Sequence, residues 1–168
     1  SGEAALGIAR AVLEHGKHLV TANKALLAMR GEELVELANK QGRGLGFEAA
    51  VCGAIPIIKA LNECLTGDEI VSVSGIMNGT SNYILSKTAA EGQSFDAALK
   101  DAQDKGYAEA DPTLDIDGGD AGHKLTILMR MVFGVDVAFG NFPRKGIDAI
   151  TAGDFMIGGH LPFMCKMV

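Results

Sequence analysis

The sequence has 168 residues, of which 48% are hydrophobic and 21% charged, and its formal net charge is −6. This balance excludes a disordered chain, because disorder requires low hydrophobicity combined with high net charge. The excess of 21 acidic over 15 basic residues gives no general attraction for phosphate backbones or anionic lipids, so neither nucleic acid nor a membrane surface is expected as a partner.

Residues 1–45 predict half of an α/β unit. Apolar positions at helical spacing indicate a helix over residues 4–14, a β-branched stretch at 18–21 indicates a strand, and residues 32–40 indicate a second helix. A complete nucleotide-binding half would need an earlier strand and a glycine-rich phosphate turn, and no GxGxxG precedes residue 18. The glycines at 42, 44 and 46 lead into a predicted strand, which favours a flexible turn over a phosphate cradle.

From residue 47 onward, strands and helices continue to alternate. The predicted strands are 47–51 and 69–76, and the predicted helices are 56–65, 80–90, 95–105 and 119–133. Ser94 is the expected cap of the helix over 95–105, and a polar loop is expected over 107–119. The order of elements predicts an α/β fold with helices packed on a mixed sheet.

Cysteine and histidine placement gives no sign of a metal centre. Cys52, Cys64 and Cys165 are odd in number and form no CxxC pair, which argues against both a disulfide framework and a structural zinc site. The four histidines share no metal-ligand spacing. No apolar run reaches the roughly 18 residues needed to span a bilayer, and no signal peptide is visible, so a cytoplasmic protein is expected.

The aspartate-rich loop has two interpretations. Asp115 and Asp117 alternate as in a calcium loop, but the glycine and the terminal glutamate of an EF-hand are absent at the required positions. The alternative is a solvated turn in which Asp117 caps the following helix.

The helix over 119–133 carries the most informative pair of charges. At about 100° per residue, Asp120 and Lys124 project on the apolar side, whereas His123, Thr126 and Arg130 define the expected wet side. A charged side chain directed at the core needs a partner that compensates its burial, and such charges commonly line a ligand cleft. An ordinary exposed ion pair one turn apart is the alternative.

Lys24 follows the strand predicted at 18–21. Loops at the carboxyl ends of strands are where open α/β sheets place ligand contacts, so Lys24 is a candidate site residue. A surface lysine that opens a helix is the alternative.

Four motifs occur in order along the chain. They read VTANKALLA at 20–28, FEAAVCGAIPII at 47–58, GIMNGTSNYIL at 75–85, and GYAEADP at 106–112 leading to DAGHK at 120–124. Together they closely resemble homoserine dehydrogenase over about residues 5–154. The resemblance implies NAD(P)-dependent interconversion of homoserine and aspartate 4-semialdehyde, in the pathway to threonine, isoleucine and methionine, by a homodimer.

The resemblance also assigns roles to individual residues. Lys124 is implied as the catalytic lysine, Lys24 as a second lysine at the same substrate oxygen, and Asp120 as the aspartate that holds the substrate and orients Lys124. The implied substrate contacts are Glu109 and Asp115, at the amino group, with Gly79 and Thr80 in the substrate loop.

Two further groups are implied by the same resemblance. The cofactor contacts are Thr21, Asn23 and Lys24, and NAD and NADP are not distinguished. The implied monovalent cation site, usually sodium, is formed by Glu48 with Val51, Gly53 and Ile55.

Domain boundaries are expected at two places. Residues 1–45 resemble the last part of a Rossmann-type dinucleotide-binding domain, residues 46–154 the catalytic and dimerisation domain, and residues 155–168 an atypical tail, arising from truncation or a frameshift. The alternative function is a non-catalytic fragment or binding module of the same fold that lacks cofactor binding. A related dehydrogenase acting on another amino acid is a third possibility.

Overall fold

A computed structural model of the chain describes residues 2–160 and 166–167. Its helices are α1 (Gly2–Glu14), α2 (Lys24–Lys40), α3 (Ile57–Lys59), α4 (Gly79–Glu91), α5 (Phe95–Asp104), α6 (Thr113–Ile116), α7 (Gly119–Phe133) and α8 (Ala152–His160). The strands are β1 (Leu19–Val20) and β2 (Leu45–Gly46). In the described part of the chain, no helix is long and apolar enough to cross a membrane.

The chain divides into two compact units. The first comprises the chain up to Val73 together with His123–Phe142, and the second comprises Ser74–Gly122 and the described residues from Pro143 onward. Helix α7 therefore contributes its first turn to the second unit and the rest of its length to the first.

The core of the first unit forms where α1 and α2 pack together. Apolar residues recur at helical spacing on both helices, so each helix has one face to bury. The buried residues are Leu6, Ala9, Leu13, Leu26, Leu34 and Ala38. Leu19 and Leu45 from the two strands pack against this cluster, so the strands are held at the edge of the same core.

The two strands form a parallel pair. Leu19 lies opposite Leu45, and Val20 lies opposite Gly46. Just before the pair, the Gly44 amide donates a hydrogen bond to Nδ1 of His18 at 2.8 Å. The α/β class predicted from the sequence is confirmed, in a helix-rich form whose sheet, within residues 2–160 and 166–167, is this one parallel pair.

Two predicted strands are wrong. Residues 48–50 form a 3₁₀ turn, Glu48–Ala50, because the Glu48 side chain reaches forward to the amides at the start of α3 and turns the chain. Residues 69–76 have the apolar alternation of a strand, but a strand also needs a hydrogen-bonded neighbour. None pairs with this segment among the described residues.

Helix α2 begins eight residues earlier than predicted and is kinked at Arg30, where φ is −138° and ψ is 17°. The kink leaves backbone carbonyls of the preceding turn without intrahelical partners. Nη1 of Arg130 donates hydrogen bonds to the carbonyl oxygens of Leu27 and Ala28, at 2.9 and 2.7 Å. The guanidinium therefore acts as a cap inside a helix.

The second unit is built on the α4–α5 pair. Its buried residues are Ile84, Leu85, Ala98, Ala102, Ala108, Ile147 and Met167. Ser94 caps α5 as predicted, because its Oγ accepts the amide hydrogen of Ala97 at 3.3 Å. Nζ of Lys166 donates to Oδ1 of Asn82 and Oγ of Ser86 on α4, at 2.7 and 2.9 Å.

A close backbone approach fixes the segment before Ile147. The Ile147 amide donates to the carbonyl oxygen of Ile116 at 2.9 Å. A Cβ added at Gly146 would lie 2.5 Å from that same oxygen. Glycine is therefore required at position 146.

Candidate active site

In the second unit, two aspartates are held by one amide side chain. Asn78 is 3% exposed, and its Nδ2 donates to Oδ1 of Asp115 at 2.6 Å and to Oδ2 of Asp120 at 3.0 Å. Its Oδ1 accepts the amide hydrogen of Ser81 at 2.7 Å. Because an amide group has two N–H hydrogens and one carbonyl oxygen, every part of the Asn78 head group is used.

These bonds also fix the orientation of the amide. Asn78 is the N-cap of α4, so its oxygen must face the first turn of that helix. The nitrogen then faces the two carboxylates. A flipped amide would place its oxygen against two carboxylates and its hydrogens against the Ser81 amide, so only one orientation satisfies all four groups.

The two carboxylates are consequently close together. Both acceptor oxygens bond to the same nitrogen, so their separation cannot exceed the sum of the two bond lengths, 5.6 Å. At an effective dielectric constant of 20, two full negative charges at that distance repel by about 3 kcal/mol. Asp120 is only 6% exposed, so solvent relieves little of this repulsion. A neutral donor and a cation are the groups that stabilise such a pair.

The first turn of α4 anchors the surrounding loop. Oγ of Ser81 donates to the Asp115 carbonyl oxygen at 2.6 Å, and Oγ1 of Thr80 donates to the Tyr107 carbonyl oxygen at 2.6 Å. The Gly79–Thr80 corner predicted as a substrate loop is thus the N-terminus of a helix, beside Asn78. The loop predicted over 107–119 contains the short helix α6, which carries Asp115.

Two other predicted residues of this loop have different environments. Asp117 accepts the Gly119 amide hydrogen at 2.7 Å, which satisfies one of the first amide groups of α7, as the capping interpretation expects. Glu109 is exposed, and its carbonyl oxygen accepts from Nε2 of Gln103 at 3.1 Å. The side chain of Asp115 thus bonds to Asn78, whereas that of Asp117 bonds to the start of α7.

The predicted cofactor contacts lie at the end of β1 in the first unit. Oγ1 of Thr21 accepts the Asn23 amide hydrogen at 3.1 Å, and Oδ1 of Asn23 accepts that of Leu26 at 3.0 Å. Asn23 is thus the N-cap of α2, and Lys24 is its first residue, half-buried. The position after β1 agrees with the prediction, but Lys24 opens a helix instead of lying in a loop. A helix N-terminus at the carboxyl end of a strand suits a phosphate-bearing cofactor.

The predicted cation ligands also lie in the first unit. Both carboxylate oxygens of Glu48 accept hydrogen bonds at 2.9 Å, from the amides of Ile58 and Lys59. Each oxygen retains a further lone pair. Val51 is fully buried, and Gly53 has a positive φ of 56°. Ile55 is 64% exposed.

This oxygen-rich turn suits a hard monovalent cation held by backbone carbonyls. No cluster of three or more His, Cys, Asp or Glu side chains that could hold a metal occurs among residues 2–160 and 166–167. Cys52 and Cys64 are free thiols, and Cys165 lies outside the described residues.

The predicted wet side of α7 is wrong for two residues. His123 is 7% exposed and its ring stacks on that of Phe139 at 4.1 Å, while Thr126 is fully buried. The polar side of the helix is therefore covered at these two positions. Lys124 is half-buried on the same helix, one turn after Asp120.

A separate cavity of about 320 Å³ lies in the first unit. Leu27, Val35 and Met131 are among its apolar lining residues, and Glu32, Arg130 and Asp136 are its charged ones. A hydrogen bond with Asp136 raises the pKa of Glu32. A hydrogen bond from Arg130 lowers the pKa of Asp136. Arg130 thus bonds both to the α2 carbonyls and to Asp136, which in turn interacts with Glu32.

Asn78 and Ser81 are not among the site residues predicted from the sequence, although both lie in the motif at 75–85. The available signal was local: an Asn just before a helix is a good N-cap. The contacts to Asp115 and Asp120 join residues 37 and 42 positions apart, which no spacing rule reveals.

The fold and the paired carboxylates define a helix-rich α/β protein with a closely spaced acidic pair. Comparison with known families makes the class specific. The family model described as "Homoserine dehydrogenase" matches residues 56–167, and the model described as "Homoserine dehydrogenase, NAD binding domain" matches residues 1–48. The chain belongs to the homoserine dehydrogenase family. The first match continues past residue 154, into the segment expected to be an atypical tail.

Individual relatives agree with this assignment. The chain is 49% identical to the homoserine dehydrogenase of Neisseria gonorrhoeae over 93% of its length, and 46% identical to that of Pseudomonas aeruginosa over 92%. It spans 36% of the length of each of these relatives.

Solved structures show the same likeness. The crystal structure of a homoserine dehydrogenase from Thiobacillus denitrificans superposes with a TM-score of 0.96 at 47% identity, covering 99% of this chain and 39% of that one. A hyperthermophilic archaeal homoserine dehydrogenase in complex with NADPH gives a TM-score of 0.79 at 34% identity, over 90% of this chain and 47% of that one.

Proposed function

We propose that this chain carries the substrate-binding part of an NAD(P)-dependent homoserine dehydrogenase, which interconverts L-homoserine and L-aspartate 4-semialdehyde. The observation that carries the proposal is the Asn78-bridged pair of Asp115 and Asp120, because two carboxylates held at this spacing favour an ammonium group. Both the alcohol and the aldehyde of this reaction carry an α-ammonium group.

The substrate contacts divide between the two ends of the amino acid. Asp115 and the exposed Glu109 bind the ammonium group, and Asp120 holds the substrate while orienting Lys124. Gly79 and Thr80 form the corner on which the substrate rests. The assignment of Gly79 and Thr80 is supported by the fixed geometry of this corner. The hydroxyls of Thr80 and Ser81 donate hydrogen bonds to carbonyl oxygens of the neighbouring loop.

Lys124 performs the proton transfer. When homoserine is oxidised, Nζ of Lys124 takes the hydroxyl proton; when the semialdehyde is reduced, it returns a proton to the carbonyl oxygen. Lys24 binds the same oxygen and stabilises its developing negative charge. The nicotinamide, when bound, supplies the hydride acceptor or donor.

Thr21, Asn23 and Lys24 contact the cofactor at the end of β1. Glu48, with backbone oxygens of Val51, Gly53 and Ile55, holds a sodium ion that fixes the turn before α3. The protein acts as a cytoplasmic homodimer in threonine, isoleucine and methionine biosynthesis. Residues 1–45 are the end of the dinucleotide-binding domain, and residues 46–154 belong to the catalytic and dimerisation domain.

The central test is homoserine-dependent reduction of NAD⁺ or NADP⁺, followed by nicotinamide absorbance. Lys124→Ala should lower kcat by about 10²–10⁴, the usual contribution of a positioned proton-transfer group. Lys100→Ala is the matched control, because this exposed lysine only pairs with Asp104 on α5 at 3.4 Å. Equal turnover in Lys124→Ala and Lys100→Ala would remove Lys124 from the chemistry.

A second candidate function is a non-catalytic module of the same fold. It differs from the first candidate in that these 168 residues contain no GxGxxG phosphate turn. Titration with NADPH discriminates the two, since a module that lacks the phosphate turn would bind homoserine without measurable cofactor affinity.

A further inference from the structure

One buried amide joins the two aspartates of the site, and its side chain has been given no role in the proposed reaction. Asn78 lies directly before α4, and its side chain is 3% exposed. It makes three hydrogen bonds, one to α4 itself and two to carboxylates on other elements. Capping α4 would require only the first of these.

The two extra bonds have a geometric consequence. The N–H bonds of one amide diverge in a fixed plane, so a carboxylate on each is held at a fixed spacing and angle. Asp115 belongs to α6 and Asp120 to α7, and Asn78 links both to the N-terminus of α4. Removing its two donors would break the link between the two carboxylates, although both residues would remain in the chain.

We propose that Asn78 is a positioning residue that holds Asp115 and Asp120 as a single receptor for the substrate's ammonium group. The inference rests on the proposed function and deepens it, since it names the group that sets specificity for an α-amino acid. Asn78 acts through the two carboxylates and does not itself touch the substrate. Its loss should weaken binding of the ammonium end much more than binding of the hydroxyl end.

Asn78→Ser separates this role from helix capping. Serine is as good an N-cap as asparagine, so the acceptor for the Ser81 amide is kept while the pair of amide donors is lost. Ser94→Ala is the matched control: it removes the cap of α5 in the same unit without touching either carboxylate. The control should lower stability and leave homoserine binding unchanged.

Binding is measured by calorimetry for homoserine and for 4-hydroxybutyrate, which has the same hydroxyl end but no ammonium group. In Asn78→Ser, the Kd for homoserine should rise at least tenfold, while the Kd for 4-hydroxybutyrate should change less than twofold. Where turnover is measurable, KM for homoserine should rise by a similar factor, and kcat should fall by a smaller factor because Asp120 also orients Lys124. An equal loss for both ligands, or a homoserine Kd within twofold of that of Ser94→Ala, would overturn the proposal.

A second readout needs no substrate. In the wild-type chain, both side-chain N–H hydrogens of Asn78 should exchange with solvent far more slowly than those of the exposed Asn39 on α2, as followed by nuclear magnetic resonance. Exchange at the rate of Asn39 would overturn the positioning role. A wild-type chain that binds no homoserine but protects the Asn78 hydrogens would refute the proposed function and support the positioning of the carboxylates.

Discussion

Arg130→Met should destabilise the first unit by removing the group that caps the α2 kink. The substitution keeps an unbranched apolar stem in the cavity and deletes only the guanidinium. Leu27 is 3% exposed and Ala28 is 1% exposed, so water cannot readily replace the two lost hydrogen bonds.

The magnitude follows from those two bonds. A hydrogen bond to a charged group contributes about 1.5–3 kcal/mol. The Arg130 side chain is 19% exposed, so the lower part of this range applies. The expected loss in the free energy of unfolding is therefore about 3–4 kcal/mol for the two bonds, to be measured by urea denaturation followed by circular dichroism.

Arg30→Met provides the control for this prediction. Arg30 lies at the same kink, but its side chain is 43% exposed and pairs with Glu33 at 2.9 Å, an arrangement that contributes about 0–1 kcal/mol. Hydrogen exchange of the α2 amides locates the effect, since Arg130→Met should speed exchange there and Arg30→Met should not. If both variants lose the same stability, the guanidinium does not hold the kink.

Three further predictions concern side chains whose hydrogen-bond partners are identified in the structure. Glu48→Gln should lower the free energy of unfolding by about 1 kcal/mol in urea denaturation, because an amide offers one acceptor oxygen to the two α3 amides that the carboxylate now bonds; an unchanged midpoint would contradict this. Tyr83→Phe should lower the melting temperature, because the Tyr83 hydroxyl donates a hydrogen bond to Asp101 at 2.5 Å. Tyr107→Phe is the control: it keeps the ring contact with Tyr83 at 4.9 Å and should melt close to the wild-type temperature. Hydrogen bonds from the Thr151 hydroxyl and amide lower the pKa of Asp154, so its stabilisation is present above the ordinary value near 3.9 and is lost as the pH falls through the folded-state pKa. Asp154→Asn should therefore lose less stability than the wild type between pH 5 and pH 3 in thermal melts, and parallel losses would refute the assignment.

Local patterns predicted the helices that local interactions define. Helix α7 has the bounds expected from its periodicity, Gly119–Phe133, and Ser94 caps α5 as expected. Such signals lie within a few residues of the element they determine. They are therefore visible in a single sequence.

The start of α2 is not predicted correctly, because the contact that stabilises the bend in this helix comes from a distant part of the chain. The sequence pattern predicts a helix only over residues 32–40. In the structure the helix continues through Gly31, and a Cβ there would lie 3.5 Å from Nη1 of Arg130. The residue that stabilises this bend is about 100 positions away along the chain, so no pattern within α2 could reveal it.

The candidate site divides in the same way. Asp120 was found because a charge on the apolar side of a helix is conspicuous, and Asp115 because it resembles a family motif. The bond that joins them depends on three elements meeting at Asn78. The sequence thus indicates the two aspartates as candidate site residues, but it does not indicate the hydrogen bonds that connect them through Asn78.

The Asn78–Gly79 dipeptide also bears on the chemical lifetime of the protein. Asparagine followed by glycine is the sequence most prone to deamidation, in which the glycine nitrogen attacks the side-chain carbonyl carbon and ammonia leaves. In the folded chain that amide is buried and held by three hydrogen bonds, so the rotation that cyclisation requires is opposed. The product would carry a third carboxylate facing the other two in place of their shared donor. Folding thus protects a position at which deamidation would replace the shared hydrogen-bond donor of Asp115 and Asp120 with a third negative charge.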